Sequence, residues 1–370
     1  LLAPRAPFGS GVVINGEFFD SRSAGWPQAV SDEVLRRFGA QPKKGGAAES
    51  HDPQVDWAMR VLREYVLPEM KPDVVYNWIT EPDHVQHFYG AGAPQSLGSI
   101  RNADRNLGEV LEVLGRLGLR ERTNIVVVSD HGFGHTAYAV NVGQELLDGG
   151  FRREDFVLAS SGQAVGVHVR DRDPAKIRAI AEFLQRQPWI GVVLAAHAGG
   201  APHEGGVPGT FALEFAHLGG SERSPDLVFT FPWTSNLNPH GVPGTDTVMT
   251  PGGKTGPVSG VRADHGSMSP WTVKNTMFAW GPDFKRGVRV RAPSSNADVT
   301  PTVLHLLGHP KADALDGRVL REALVDGPDV EQVAVETRTL RVANGAYRAA
   351  LQVSESGGRR YLDKSWREAP

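Results

Sequence analysis

Along the chain, segments whose apolar residues form strand-length runs alternate with segments whose apolar residues have helical spacing. Residues 73–79 and 124–130 are apolar runs of strand length, and residues 97–117 between them carry Ile, Leu and Val at the three-to-four spacing of an amphipathic helix. An earlier helix is predicted to begin at Asp52 and to end before Pro68. Strand, long helix and strand form a βαβ unit. The pattern therefore predicts an α/β fold with a mostly parallel central sheet flanked by helices.

The same alternation continues downstream of this unit. It predicts strands at 164–169, 190–195 and 275–280 and a helix at 174–187, for which Asp173 is the N-cap. These elements extend the predicted α/β domain.

Two regions depart from this alternation. Residues 196–262 are rich in Gly, Pro, Ser and Thr, and we interpret them as a loop-rich insertion near a functional site. Residues 335–363 alternate around a Gly-Gly turn and predict a small antiparallel hairpin. The sequence thus predicts a main domain over residues 1–325 and a C-terminal hairpin extension over residues 326–370.

Composition narrows the function. The 370 residues carry a net charge of −3 with no basic stripe, which disfavours nucleic acid as a bulk partner. No apolar run is long enough to span a membrane. Cysteine is absent and histidine occurs 13 times, so a metal would have to be held by imidazole and carboxylate groups, as Zn, Mn, Fe and Mg can be.

Acids and histidines follow both strands of the predicted βαβ unit. Asp83 and His87 come shortly after the first strand, and Asp130 and His131 stand at the end of the second. Ligands of open α/β sheets gather at the carboxyl ends of the strands, so we expect the two pairs at one sheet edge. A third segment, before the strand at 275–280, offers His265.

This set of residues suits phosphoester hydrolysis. Two divalent ions about 4 Å apart can stabilise the non-bridging and leaving oxygens. Mixed Asp and His ligation suits zinc or a similar ion with positions open for substrate. The glycine after His131 is expected to let the backbone pass close to metal or substrate. The sequence therefore predicts a two-metal hydrolase site.

The motifs that carry these residues resemble a known family. Residues 81–87, 128–133 and 264–267 resemble three metal motifs of the type I phosphodiesterases and nucleotide pyrophosphatases, which belong to the alkaline phosphatase superfamily. Three further segments resemble the closing segments of that family, namely 275–284, 298–302 and 315–320. The middle of the chain resembles it poorly.

The resemblance implies an alkaline phosphatase-like fold and a division of the ligands. Asp83, His87 and His265 would hold one divalent ion. Asp130 and His131 would hold a second, together with an upstream Asp and a Thr or Ser nucleophile. Zinc is the expected metal, with Mn, Fe and Mg as alternatives.

The upstream part of the family pattern is not visible in this chain. The first Asp is Asp20 and the first Thr is Thr80, and neither follows a first-strand pattern. We therefore expect the missing Asp and the nucleophile upstream of Leu1, which leaves the catalytic nucleophile unknown. Ser10 is the one nearby hydroxyl that could substitute for it.

The predicted activity is metal-dependent hydrolysis of phosphodiester or nucleotide pyrophosphate bonds in a small phosphorylated substrate. Two alternatives stay open. The first is another enzyme of the superfamily, namely a phosphomonoesterase, phosphonate hydrolase or sulfatase. The second is a truncated, inactive remnant that binds metal. Export to the periplasm or outside the cell is expected from the family, whereas the sequence does not indicate an oligomeric state.

Overall fold

The computed structural model describes residues 13–14, 25–260 and 262–369. The chain divides into two units, Leu1–Thr123 and Asn124–Pro370. Ser10 and Asp20 lie outside the described residues. Among the helices that are described, none is both long and apolar enough to cross a membrane.

The first unit is mainly helical. Its strands and α-helices are β1 (Val13–Ile14), β2 (Gly25–Trp26), α1 (Gln28–Phe38), α2 (Asp52–Val61), α3 (Asp83–Tyr89) and α4 (Pro94–Arg116). Strands β1 and β2 pair antiparallel. Val34 of α1 packs with Trp57 and Val61 of α2 to form a small buried cluster.

The helix that starts at Asp52 does not end before Pro68 as predicted. Helix α2 continues directly into a π-helix, Leu62–Met70, that contains Pro68. A π-helix moves the hydrogen-bond register from i−4 to i−5, which leaves room for a proline that an α-helix would exclude. The helix ends at Lys71, whose backbone is left-handed with φ 49°.

Helix α4 buries a more polar face than the sequence predicts. Ile100, one of the apolar residues that give residues 97–117 their amphipathic spacing, is exposed, whereas Ser99 and Asn106 are buried. Ser99 Oγ donates to Asp52 Oδ2 at 2.9 Å, and Asn106 Nδ2 donates to Asp56 Oδ1 at 2.7 Å. These hydrogen bonds join the first half of α4 to α2, so polar pairs take the place of an apolar contact there. In the second half of α4, the apolar residues Val110 and Leu114 are buried.

The strand predicted at 73–79 is absent. These residues have no regular secondary structure, and the side chains of Tyr76 and Trp78 are 80% and 53% exposed. No strand in the described ranges pairs with them. The strand prediction was therefore wrong here, because an apolar run becomes a strand only when it has a neighbour to pair with. The predicted βαβ unit is therefore not formed by the described residues.

The second unit alternates strands and helices. Its elements are β3 (Ile125–Val128), β4 (Gly134–Val140), α5 (Val142–Asp148), β5 (Phe156–Ser161), β6 (Ala164–Val169), α6 (Pro174–Arg186), β7 (Val193–Ala195), β8 (Phe211–Ala212), β9 (Leu227–Thr230), β10 (Thr234–Leu237), β11 (Pro243–Met249), β12 (Gly256–Pro257), β13 (Ala263–Asp264), α7 (Pro270–Val273), β14 (Met277–Trp280), α8 (Val299–Leu306), β15 (Glu336–Asn344), β16 (Tyr347–Ser356) and β17 (Arg359–Arg367). Helix α6 begins as predicted, because the Asp173 side chain accepts from Ala175 N at 2.9 Å.

These strands form several sheets around one large core. The order of the main sheet is β5-β6-β9-β7-β8, and β10-β11-β4-β12 forms a second sheet in which β13 also pairs with β4. Buried residues of the main sheet, such as Val193 and Phe229, pack with Leu184 of α6 and Leu351 of β16. The C-terminal sheet, β15-β16-β17, thus adds a third strand to the predicted hairpin and shares the core.

The sheets are mixed rather than mostly parallel. Among the described pairs, β4–β11 and β7–β8 are parallel, and the others are antiparallel. Strand β3 was expected to pair in parallel with residues 73–79. It pairs antiparallel with β14 instead and is half-buried, since β14 is its one described neighbour.

The region interpreted as a loop-rich insertion contributes to these sheets. Residues 196–262 contain β8 to β12, and both β9 and β11 lie between two neighbouring strands. The proposed domain limits, 1–325 and 326–370, stay a prediction.

Candidate metal centre

Two of the predicted ligands lie on one face of a short helix. Asp83 is the first residue of α3 and His87 lies one turn later, so the i, i+4 spacing brings the side chains together. Asp83 Oδ2 is 3.6 Å from His87 Nε2, and both side chains are partly exposed to solvent. This pair offers a carboxylate and an imidazole from a rigid element.

A buried glutamate fixes the start of that helix. Glu81 is 3% exposed, and its carboxylate accepts from His51 N at 2.7 Å and from Val85 N at 3.2 Å. Burial raises the pKa of Glu81, while the His51 and Val85 N–H groups act in the opposite direction. Because Val85 lies in the first turn of α3, Glu81 caps the helix that carries Asp83. The sequence analysis assigned no role to Glu81, although an acid before a helix start is a capping signal.

Asp130 and His131 follow β3 in the second unit. Asp130 Oδ1 accepts from His131 N at 3.1 Å, and Asp130 Oδ2 lies 3.5 Å from His131 Nε2. Two asparagine side chains hold the backbone carbonyl groups of Ser129 and Asp130 in place. Asn296 Nδ2 donates to Asp130 O at 3.1 Å, and Asn275 Nδ2 donates to Ser129 O at 2.6 Å. The carboxylate and imidazole therefore stand on an anchored strand end.

His265 lies beside His131. It follows β13, in which Asp264 pairs with Gly134 of β4. The His131 and His265 rings are stacked with centroids 3.5 Å apart and an interplanar angle of 15°. Phe133 meets both rings edge-on, at 5.4 and 5.3 Å. Asp130, His131 and His265 therefore lie in one cluster within this unit, and their role as metal ligands stays a prediction.

The glycine after His131 serves backbone packing. A Cβ on Gly132 would lie 2.2 Å from Trp271 O and 2.7 Å from Lys274 O, and Gly132 N donates to Thr272 O at 2.9 Å. The structure thus shows a close approach of Gly132 to the backbone of α7 and of Lys274 directly after it, and the predicted room for metal or substrate stays a prediction.

We expect Gly132→Ala to lower the free energy of unfolding by about 1–3 kcal/mol, because both clashing atoms are backbone and the main chain must shift. Gly98→Ala is the matched control. Gly98 lies inside α4 with nothing within 4 Å of its added Cβ, so this change should stabilise the protein by roughly 0.5–1 kcal/mol. Urea unfolding of both variants checks the opposite signs. A Gly132→Ala variant as stable as the unaltered protein would contradict the packing role.

A buried polar group lies behind the second-unit cluster. Asp246 of β11 is 2% exposed and accepts from Ser267 Oγ at 2.9 Å, while its Oδ1 has no hydrogen-bond partner among the described residues. Burial and, to a smaller extent, the nearby Asp264 raise the pKa of Asp246 to about 7, while the hydrogen bond from Ser267 acts in the opposite direction. The sequence analysis missed this residue.

Stability should fall with rising pH because of Asp246. The folded carboxyl keeps a proton, up to a pKa of about 7, that the unfolded carboxyl releases near its ordinary value of 3.8. The free energy of unfolding therefore falls progressively from about pH 4 to 7 and stays constant at higher pH. The total loss is a few kcal/mol, at about 1.4 kcal/mol per unit of pKa difference. Asp246→Asn should flatten this dependence. The test is the urea unfolding midpoint of the unaltered protein and of Asp246→Asn at pH 5 and 8, in the presence of a chelator. An equal change of the midpoint with pH in both proteins would refute the role of Asp246.

The candidate ligands are divided between the two units. Asp83 and His87 lie in the first unit, and Asp130, His131 and His265 lie in the second. Ser10, the candidate substitute nucleophile, lies outside the described residues.

Comparison with known proteins identifies the relatives of this chain. The family model described as type I phosphodiesterase / nucleotide pyrophosphatase matches residues 13–237. This range includes the middle of the chain, where the sequence analysis found little resemblance, and ends before the third metal motif.

Individual relatives match shorter stretches. The chain is 30% identical over 91 residues to ectonucleotide pyrophosphatase/phosphodiesterase family member 7 of Homo sapiens, covering 24% of this chain and 20% of that protein. It is 37% identical over 75 residues to the venom phosphodiesterase of Naja atra, covering 20% of this chain and 9% of that protein. The matched stretch therefore spans a fifth or less of these two relatives.

A solved structure supports the fold. An inactive form of murine ectonucleotide pyrophosphatase/phosphodiesterase 5, in complex with AMP, superimposes with a TM-score of 0.53 and 17% identity over 77% of this chain and 67% of that chain. At this identity the likeness concerns the fold alone, and it confirms the predicted α/β, alkaline phosphatase-like class. Because the family model covers more than half of the sequence, this chain belongs to the type I phosphodiesterase / nucleotide pyrophosphatase family.

Proposed function

We propose that this protein is a hydrolase of phosphodiester or nucleotide pyrophosphate bonds and that it depends on two divalent metal ions. The observation that carries the proposal is the cluster in the second unit. Two stacked imidazoles, His131 and His265, lie beside the Asp130 carboxylate in a chain of this family. Relatives named as phosphodiesterases and pyrophosphatases support the reaction class.

The side chains present fit such ions chemically. In the proposed grouping, Asp83, His87 and His265 hold one ion, and Asp130 and His131 contribute to the other. This grouping rests on the family resemblance. Carboxylate and imidazole donors without thiolate suit zinc, with Mn, Fe and Mg as alternatives. When bound, the ions would stabilise negative charge on phosphate oxygens.

The chain's own residues have supporting roles in this proposal. Glu81 fixes the helix start that presents Asp83, and Asn296 holds the backbone of Asp130. These hydrogen bonds keep the donor groups in place before any ligand arrives, which lowers the cost of binding.

The proposed substrate is a small phosphorylated molecule, and a nucleotide is the first candidate. The murine structural neighbour is described in complex with AMP, and this supports a nucleotide for the present chain. Relatives named venom phosphodiesterases support export of the protein.

A panel of nitrophenyl esters tests the reaction. We expect nitrophenyl phosphodiesters, including a nitrophenyl ester of a nucleoside monophosphate, to be cleaved faster than nitrophenyl phosphate. A chelator should abolish turnover and added zinc should restore it. Monoester turnover equal to or above diester turnover would favour a phosphomonoesterase of the same superfamily. Stoichiometric metal without turnover of any ester would favour the metal-binding remnant.

A further inference from the structure

The two metal motifs of the second unit meet at a pair of buried polar side chains that the sequence analysis did not single out. Gln163 lies in the turn between β5 and β6 and is fully buried. Its backbone N donates to His265 O at 2.9 Å. Its side-chain Nε2 donates to Gly134 O at 3.4 Å. One residue therefore binds the backbone of the 264–267 motif and of Gly134, which directly follows the 128–133 motif.

Asp246 approaches the same point from β11. Its carboxylate accepts from Ser267 Oγ at 2.9 Å, two residues after His265. A Cβ added to Gly134 would lie 3.0 Å from Asp246 Oδ2 and 3.2 Å from Gln163 Nε2. The two side chains thus converge behind Gly134, three residues after His131.

Neither side chain is fully satisfied by these bonds. Gln163 Oε1 and Asp246 Oδ1 are buried and have no hydrogen-bond partner within the described ranges. An unsatisfied buried polar atom costs about 1–3 kcal/mol, so two apolar residues would suit this part of the core better. A polar pair that is costly to the fold and bonded to both motifs points to a role in arranging them.

We propose that Gln163 and Asp246 are positioning residues that hold the His131 and His265 segments in register, so that losing their side-chain hydrogen bonds weakens metal binding while the chain stays folded. This inference rests on the metal dependence proposed above. The stacked rings, with centroids 3.5 Å apart, leave little tolerance for a shift of either segment. Hydrogen bonds that orient ligands are commonly worth about 10- to 100-fold in metal affinity.

The test is Gln163→Met in the 370-residue chain, because methionine keeps the volume and removes the donor. Cobalt(II) is titrated into metal-free protein and followed by its visible absorption, which reports both affinity and ligand geometry. We expect about 10- to 100-fold weaker cobalt binding and an altered spectrum. Folding is checked by circular dichroism in a chelator. Ser267→Ala, which removes the hydrogen bond to Asp246, should act in the same direction and decides the matter if Gln163→Met does not fold.

Gln185→Met is the matched control. Gln185 is also a buried glutamine of the second unit, and it bonds Pro208 O at 2.9 Å and Asn344 Nδ2 at 2.8 Å within other parts of the core. It should leave cobalt affinity unchanged. Equal affinity in the Gln163→Met and unaltered proteins, or an equal loss in both Met variants, would overturn the positioning role and leave the metal centre standing. An unaltered chain that binds no cobalt would overturn the metal centre itself.

Discussion

Replacing His265 by alanine is expected to remove about one divalent ion per chain, because a catalytic site of three protein ligands would be left with two. Asp130→Asn should also lower the metal content, since a neutral amide is a poorer ligand than a carboxylate. Metal content is measured by mass spectrometry after equilibrium dialysis against zinc. The proposed grouping further predicts that His265→Ala and His87→Ala lose the same ion, so the double variant should lose no more than either single variant.

The control for His265 is another histidine of the same unit. His309 follows α8, and its Nδ1 accepts from Lys311 N at 3.2 Å. His309→Ala makes the same chemical change outside the proposed ligand set and should leave the metal content unchanged. If His265→Ala and Asp130→Asn both bind as much metal as the unaltered protein, the ligand assignment is wrong.

The sequence predicted correctly those elements that are determined by residues adjacent in the chain, such as a helix cap or a β-branched run. Helix α6 begins where Asp173 can cap it, and β6 occupies the residues predicted for it, 164–169. Asp130 and His131 follow a strand, as expected, because a β-branched run and the residues that end it are adjacent in sequence.

The predictions that the structure contradicts concern features that depend on residues distant in sequence. Residues 73–79 have the composition of a strand, but a strand needs a neighbour that composition cannot supply. The first half of α4 is joined to α2 by hydrogen bonds from Ser99 and Asn106 to acids of α2, and the spacing of apolar residues cannot predict such bonds. Gln163 and Asp246 carry no local signal at all, since they meet only through the folding of β5, β6 and β11 around Gly134.

Two of the three closing segments of the family resemblance, 298–302 and 315–320, are connected by hydrogen bonds in the structure. Asp298, in the segment 298–302, accepts from Arg318 N at 2.8 Å and from Tyr361 OH at 3.1 Å. The Arg318 guanidinium, in the segment 315–320, makes a two-pronged bond to Glu322 at 2.7 and 2.8 Å and also donates to Tyr361 OH at 2.9 Å. The two segments are therefore tied to each other and to β17 by one buried network.

Arg318→Ala should accordingly destabilise the second unit by about 3–5 kcal/mol. The Arg318 and Glu322 side chains are only 10% and 2% exposed, and removing one partner leaves the other charge buried and unpaired. The exposed Arg338–Glu355 pair provides the control, because Arg338 is 48% exposed and Arg338→Ala should cost about 1 kcal/mol or less. Urea unfolding followed by tryptophan fluorescence measures both. Arg318→Lys keeps the charge but loses the planar guanidinium group, so its loss of stability should lie between the losses for Arg318→Ala and Arg338→Ala. A loss for Arg318→Ala no larger than that for Arg338→Ala would mean that this network does not hold the closing segments together.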